Sequence, residues 1–101
     1  MTHKDAHFVG RIRLYTTEEG GRRSPVLLPQ LRCMLEYKEE LFDCVLLLDE
    51  VGSISPGYEG EVPIAILFSH YVMDRLQVGD RFRLRELRFI GEGEVVEIVR
   101  R

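Results

Sequence analysis

Arginine is the residue type best placed in this sequence to bind a partner, because three arginines occupy alternate positions near the C-terminus. Arg81, Arg83 and Arg85 would project from one face of an extended strand, and Arg88 follows closely. Guanidinium groups in such a row suit contacts with phosphates or with an acidic protein surface. Carboxylates of the middle segment could also neutralise the row in cis. The pattern therefore predicts either a phosphate or acidic-surface contact, or a set of cross-strand ion pairs.

No set of residues in the sequence indicates catalysis or a bound cofactor. His3 and His7 are four positions apart, but that spacing brings two metal ligands together only on a helix, and no third ligand accompanies them. His70 has no Ser or Cys arranged as a triad partner, so we expect a packed residue or one that satisfies a turn. The sequence has no phosphate-binding loop ending in Gly-Lys-Ser/Thr. We therefore expect no enzyme, no catalytic residue, no metal, no cofactor and no bound nucleotide.

Cysteine usage and the absence of long apolar stretches favour the cytoplasm. Cys33 and Cys44 are expected to be small core residues rather than a disulfide or a metal pair. The first residues lack the apolar stretch of a secretory signal, and no window of about twenty apolar residues predicts a transmembrane helix. We expect a cytoplasmic protein that does not contact a membrane.

Charge is distributed unevenly along the chain. The formal net charge is −3, and residues 36–61 hold eight carboxylates against one lysine. Residues 1–35 hold six cations against three acids. The negative total argues against non-specific nucleic-acid binding. The uneven distribution is compatible with one basic and one acidic face, or simply with a solvated surface.

Apolar residues recur at every second position, which is typical of half-buried antiparallel strands. We interpret the unbroken apolar run Cys44–Leu48 as a strand in preference to the end of a short helix. Glycine and proline punctuate the runs, so we expect a sandwich or barrel with one domain over residues 1–101, of which residues 1–6 form a flexible tail. Smaller expectations are a helical turn near Asp74–Gln77, an edge or first-position role for Pro63, and edge protection by Glu92 and Glu94.

The most specific run is Leu14–Pro25, with the sequence LYTTEEGGRRSP after the first alternating segment. It resembles the opening of the C-terminal β-barrel domain of bacterial elongation factor Tu, where a strand precedes a loop reading Asp/Glu-Glu-Gly-Gly-Arg-His-Thr-Pro. The resemblance extends in order over roughly residues 7–99. Its further segments are Pro29–Cys33, Ser55–Leu67, Ser69–Asp74, Arg81–Glu86 and Gly91–Val99.

The resemblance implies an all-β fold, a six-stranded antiparallel Greek-key barrel. It also implies that Gly20, Gly21, Arg22, Arg23 and Gln30 occupy positions associated with tRNA contact. The two glycines could equally serve only the turn, and we leave both interpretations open.

The chain departs from the family pattern at two places that bear on function. Leu28 stands where the family has an arginine before Pro-Gln, and Leu87-Arg88-Phe89 replaces a second Gly-Gly-Arg. These departures and the negative net charge favour a binding module that engages a protein partner of the translation machinery or mimics that domain, in a regulatory or immunity role. The alternative is a tRNA-binding or RNA-binding module that uses the Gly-Gly-Arg loop and the arginine row.

Overall fold

The computed structural model describes residues 5–101 and shows a closed barrel of six antiparallel strands. The strands are β1 (Phe8–Leu14), β2 (Gln30–Tyr37), β3 (Glu40–Leu47), β4 (Glu59–Ile66), β5 (Arg81–Arg85) and β6 (Phe89–Ile98). Their order around the barrel is β1-β4-β3-β2-β5-β6, so β1 lies beside β4 and β6 rather than beside β2. This is a Greek-key arrangement. The predicted all-β six-stranded Greek-key barrel is confirmed.

The barrel interior is filled by the side chains that the alternation places on one face. Phe8, Ile12 and Leu14 of β1 are buried, while Arg11 between them is exposed. The run from Cys44 onward is confirmed as a strand, with its alternate residues in the core. Cys33 and Cys44 lie directly opposite each other on β2 and β3 as free, buried thiols, with 3.7 Å between the two Sγ atoms. Their expected role as core residues is confirmed.

Two glycines allow the strands to close over the ring of Phe82. A Cβ at Gly10 would lie 2.8 Å from that ring, and a Cβ at Gly93 would lie 2.6 Å from it. The ring packs edge-on against Phe8, with centroids 5.6 Å apart. At the same place a β-bulge lets Val9 and Gly10 pair with Glu97 and Val95, which leaves one extra residue in β6.

The barrel corrects one of three smaller expectations, the edge protection by Glu92 and Glu94, and is compatible with the other two. Glu92 and Glu94 do not protect an edge, because β6 is paired with both β5 and β1. Pro63 lies within β4, where pairing with β3 begins only at the next residue. A 3₁₀ turn lies at Ser69–Tyr71, and the amides of Arg75 and Leu76 then donate to the Val72 carbonyl oxygen, so that a second helical turn overlaps the predicted position near Asp74–Gln77. Within residues 5–101, no helix has the length and apolar character needed to cross a membrane.

Antiparallel pairing sorts the connections to two ends of the barrel. What we call the upper end carries residues 15–29, 48–58 and 86–88, and the lower end carries residues 38–39 and 67–80. Residues 1–4 of the predicted tail, which covers residues 1–6, lie outside the described residues. At its end Ala6 is fully buried, and the Arg100 side chain donates to the Asp5 carbonyl oxygen.

Candidate binding site at the upper end of the barrel

The Gly-Gly loop that follows β1 is built by its own backbone hydrogen bonds. The amides of Gly20 and Gly21 donate to the carbonyl oxygens of Thr17 and Thr16, each at 3.0 Å. Gly20 has φ +94°, a region that suits glycine, and a Cβ at Gly21 would lie 2.4 Å from the carbonyl oxygen of Tyr15. Both glycines are therefore needed by the turn itself.

The segment after these glycines packs against the β5–β6 turn and forms an open depression of about 380 Å³. Arg22 connects the two sides, because its Nη1 lies 2.6 Å from Oε2 of Glu86 and its Nε donates to the Ser24 carbonyl oxygen at 3.2 Å. Arg88 reaches back from the turn to the Gly20 carbonyl oxygen at 3.4 Å. The depression thus joins two parts of the chain that the sequence separates widely.

The rim of this depression is basic and apolar. Arg23 and Arg88 are exposed, and neither forms an ion pair among the described residues. Leu87 at the tip of the turn is 97% exposed. A bulky apolar side chain between uncompensated cations is a combination that suits an acidic, partly apolar protein surface.

The predicted arginine row does project from the outer face of β5, since Phe82 and Leu84 between its members are buried. Arg81 lies 3.8 Å from Glu94 of β6, and Arg83 lies 3.3 Å from Glu36 of β2. Cross-strand carboxylates therefore neutralise two of the three guanidinium groups in cis.

The third arginine of the row is held by an aromatic ring. The guanidinium groups of Arg83 and Arg85 lie 3.7 and 5.4 Å from the ring centroid of Phe89. Cation–π contacts of this kind order both side chains along the strand. The guanidinium groups of the row therefore contact other side chains of the barrel and are not free ligands for phosphate.

The neighbouring outer face, formed by β1 and β6, continues the same charge pairing. Arg13 contacts Glu19 at 2.9 Å and Glu92 at 3.6 Å, and the Tyr15 hydroxyl donates to Glu92 at 3.1 Å. Burial, together with that hydrogen bond to Glu92, raises the pKa of Tyr15. The hydrogen bond from the Thr16 amide, and then the Arg13 guanidinium, lowers the pKa of Glu19. Glu19 therefore acts as an ionised acceptor in its ion pair with Arg13.

The structure unites some of the predicted site residues and separates others. Gly21, Arg22, Arg23 and Arg88 line the depression, and Gly20 is tied to it through Arg88. Gln30 does not line it, because it starts β2 opposite Leu47 of β3. Arg81, Arg83 and Arg85 extend away from it down the outer face of β5.

Three residues of this site were not predicted as site residues. Glu86 forms the ion pair with Arg22, and the ring of Phe89 contacts Arg83 and Arg85 of the arginine row. Leu87 is the exposed tip of the β5–β6 turn. The sequence did mark the β5–β6 turn as unusual, because Leu87-Arg88-Phe89 departs there from the pattern of the resembling family. It indicated a loss of glycines, but it did not show what the replacements contact.

The histidines do not form a metal site in the part of the chain described. Nδ1 of His7 accepts a hydrogen bond from the Ile66 amide at 3.0 Å, and His3 lies outside the described residues. Burial, and then the charge of Arg100, lowers the pKa of His7. No group of three or more potential metal ligands occurs among residues 5–101.

Comparison with known proteins does not assign the chain to a family. No protein-family model matches it, and no curated protein is significantly similar to it. The fold and the geometry of the upper end are therefore the observations on which its function has to be argued.

Proposed function

We propose that this chain is a non-catalytic protein-binding module that uses the upper end of its barrel. The observation that carries the proposal is the contrast between the arginines. The arginines of β1 and β5 are paired with carboxylates or lie over the ring of Phe89. Arg23 and Arg88 have no ion pair among the described residues and lie together beside the exposed Leu87, whereas Arg32 of β2, which also has none, lies outside the depression. Because the basic charge is localised around an apolar tip, a protein surface is a better fit than a nucleic-acid backbone.

The partner surface is expected to be acidic around an apolar recess. Leu87 would fill the recess, while Arg23 and Arg88 would meet carboxylates on its rim. Arginine and bulky apolar residues are well suited to the centre of such contacts, because a planar guanidinium can bind a carboxylate through two hydrogen bonds. The ion pair between Arg22 and Glu86 would hold the loop and the turn in a fixed relative position.

The resemblance to the C-terminal domain of elongation factor Tu suggests where such a partner is found. The six-stranded barrel and the Gly-Gly-Arg loop support the resemblance. We propose a partner from the translation machinery, or a regulatory or immunity role in which the chain stands in for that domain. Two free, buried cysteines are compatible with the reducing conditions of the cytoplasm.

Binding of tRNA or another RNA is the second candidate. It is favoured by the closeness of two unpaired arginines, Arg23 and Arg88, to the Gly-Gly loop. Against it, Leu87 occupies the tip where the resembling family has glycine, and a bulky side chain hinders close approach of an RNA backbone. Few uncompensated cations also mean few released counterions, and therefore weak binding at physiological salt.

A pull-down from bacterial lysate, with and without ribonuclease, tests the proposal. The double variant Arg23→Glu/Leu87→Ser removes the basic and apolar parts of the tip. The matched control Arg32→Glu/Val78→Ser makes the same changes at exposed positions outside the depression. We expect a discrete protein that survives ribonuclease, disappears with the first variant and persists with the second. Recovery of tRNA that is lost with Arg23→Ala and Arg88→Ala would instead establish the RNA alternative.

A further inference from the structure

A second depression, which we call the lower groove, lies at the opposite end of the barrel. It has a volume of about 340 Å³ and lies between the start of β3 and the segment after β4. Leu41, Phe68 and Tyr71 line it and are 46%, 68% and 63% exposed. Three large apolar side chains around one groove form a patch of the kind that marks interaction sites.

The backbone holds Phe68 in this exposed position at a conformational penalty. Its φ of 53° and ψ of 47° place it in the left-handed region, which is unfavourable for a bulky side chain. Lys38 and Glu39 share a positive φ, but they form the two-residue hairpin turn that requires it. Since the Phe68 ring is mostly exposed, packing does not compensate for the strain, and such strain often marks a functional position.

The contacts around Phe68 fix the shape of the groove. The Leu67 amide donates to the Asp43 carbonyl oxygen at 3.0 Å, and the Tyr71 amide donates to the Phe68 carbonyl oxygen at 3.2 Å. The ring of His70 stacks against that of Tyr71, with centroids 4.2 Å apart. These contacts fix the segment of residues 67–71, so the side chains of Phe68 and Tyr71 have a defined position beside the groove.

The groove is acidic as well as apolar. Among residues 5–101, Glu40 and Asp43 are the only charged residues that line it. Glu40 is paired with Arg75 through two hydrogen bonds of 3.4 and 3.5 Å. Asp43 forms no ion pair among residues 5–101 and is the carboxylate of the groove that remains available to a cation. The groove lies in the part of the chain where carboxylates outnumber lysine eight to one. Its charge is therefore complementary to a cationic ligand.

We propose that the lower groove binds a basic segment of a partner protein, which inserts one aliphatic or aromatic side chain beside Phe68 and Tyr71. A flanking lysine or arginine meets Asp43 and Glu40, and it can also lie over an exposed aromatic ring. This site is independent of the upper end and its proposed partner. A second copy that offers Leu87 with Arg88 is the competing occupant, and such a head-to-tail contact would assemble the chain into rings or filaments, which the test below detects.

Selection from a displayed library of random 12-residue peptides tests the proposal, with the full chain as bait. Binding of each selected peptide is then compared across variants. Phe68→Asn removes the ring and tolerates a positive φ, so it keeps the fold. Asp43→Asn removes one rim charge and keeps its shape. Leu87→Ser at the other end is the matched control.

We expect a consensus that joins a bulky apolar residue to lysine or arginine. Its affinity should fall at least tenfold with Phe68→Asn, should fall with Asp43→Asn, and should be unchanged by Leu87→Ser. No enrichment, an acidic or neutral consensus, or binding that is indifferent to Phe68→Asn would overturn the proposal. Concentration-dependent self-association of the wild-type chain, abolished by either Phe68→Asn or Leu87→Ser, would overturn it in favour of a second copy.

Discussion

Replacing Gly21 by alanine should destabilise the barrel more than the same change at Gly20, although the two residues are adjacent. A Cβ at Gly21 would lie 2.4 Å from the Tyr15 carbonyl oxygen and 2.8 Å from its carbonyl carbon. Ordinary contacts of this kind begin near 3.4 Å, so the loop must move away from β1. Overpacking of this kind typically costs about 1–3 kcal/mol. At Gly20 nothing lies within 4 Å, and only the positive φ is strained. That strain costs roughly 1–2 kcal/mol and is partly offset by the lower entropy of the unfolded chain.

Thermal and urea unfolding followed by circular dichroism measure both changes. For a domain of this size, about 1 kcal/mol corresponds to roughly 4–8 °C in Tm. We expect Gly21→Ala to lower Tm by about 4–24 °C, because its cost of about 1–3 kcal/mol is multiplied by that factor. Gly20→Asn is the matched control, because asparagine tolerates a positive φ. A Gly21→Ala variant as stable as the wild type would refute the conclusion that the turn itself needs this glycine.

Three further predictions concern the strained, titratable and buried residues. Phe68→Gly should be more stable than Phe68→Ala by about 1 kcal/mol in urea titrations, since glycine relieves the positive φ; the usual order, with alanine more stable, would show that Phe68 is not strained. Stability should fall as pH drops below about 6.5, because the pKa of His7 is lowered in the fold and the unfolded chain then binds more protons. In Tm measurements from pH 7.5 to 5, His7→Gln should flatten this slope; an unaltered slope in His7→Gln would contradict the assignment. Cys33 and Cys44 should react with an aromatic disulfide reagent only after denaturation, because the hydrogen bond between the two thiols and their burial raise the pKa of Cys44. Rapid reaction of either thiol in the native protein would contradict the conclusion that Cys33 and Cys44 are buried and hydrogen-bonded to each other.

The alternation of apolar residues was sufficient to predict antiparallel strands in a sandwich or barrel, because the period of a strand is a local property of the sequence. The six-stranded Greek-key barrel was predicted only from the resemblance. Phe8, Ile12 and Leu14 are buried as their spacing indicates. The pattern failed in β6, where Val95 is fully buried and Val96 is not. An extra residue at the bulge opposite Val9 and Gly10 shifts which side chains face the core. Nothing in the local sequence marks that bulge, since it depends on the partner strand.

The direction of the arginine row was also predictable, but its partners were not. Arg83 pairs with Glu36, 47 residues earlier, because barrel closure places β5 beside β2. Arg22 pairs with Glu86, 64 residues later, because the loop after β1 and the β5–β6 turn share the upper end. Such pairings follow from the order of the strands around the barrel, and the alternation of apolar residues alone does not predict that order. Gln30 was named beside Arg22 and Arg23 only because the resemblance places all three at positions associated with tRNA contact, and Gln30 does not line the depression.

The central claim is that the outward arginines of β1 and β5 are held by carboxylates or by the ring of Phe89 within the barrel, so that the module binds protein rather than RNA. Fluorescence anisotropy of labelled bulk tRNA, titrated with the purified chain at physiological salt and again at low salt, tests it most directly. We predict no saturable binding at micromolar protein at physiological salt, and only weak binding at low salt. Saturable sub-micromolar binding at physiological salt, abolished by Arg23→Ala with Arg88→Ala, would contradict the account.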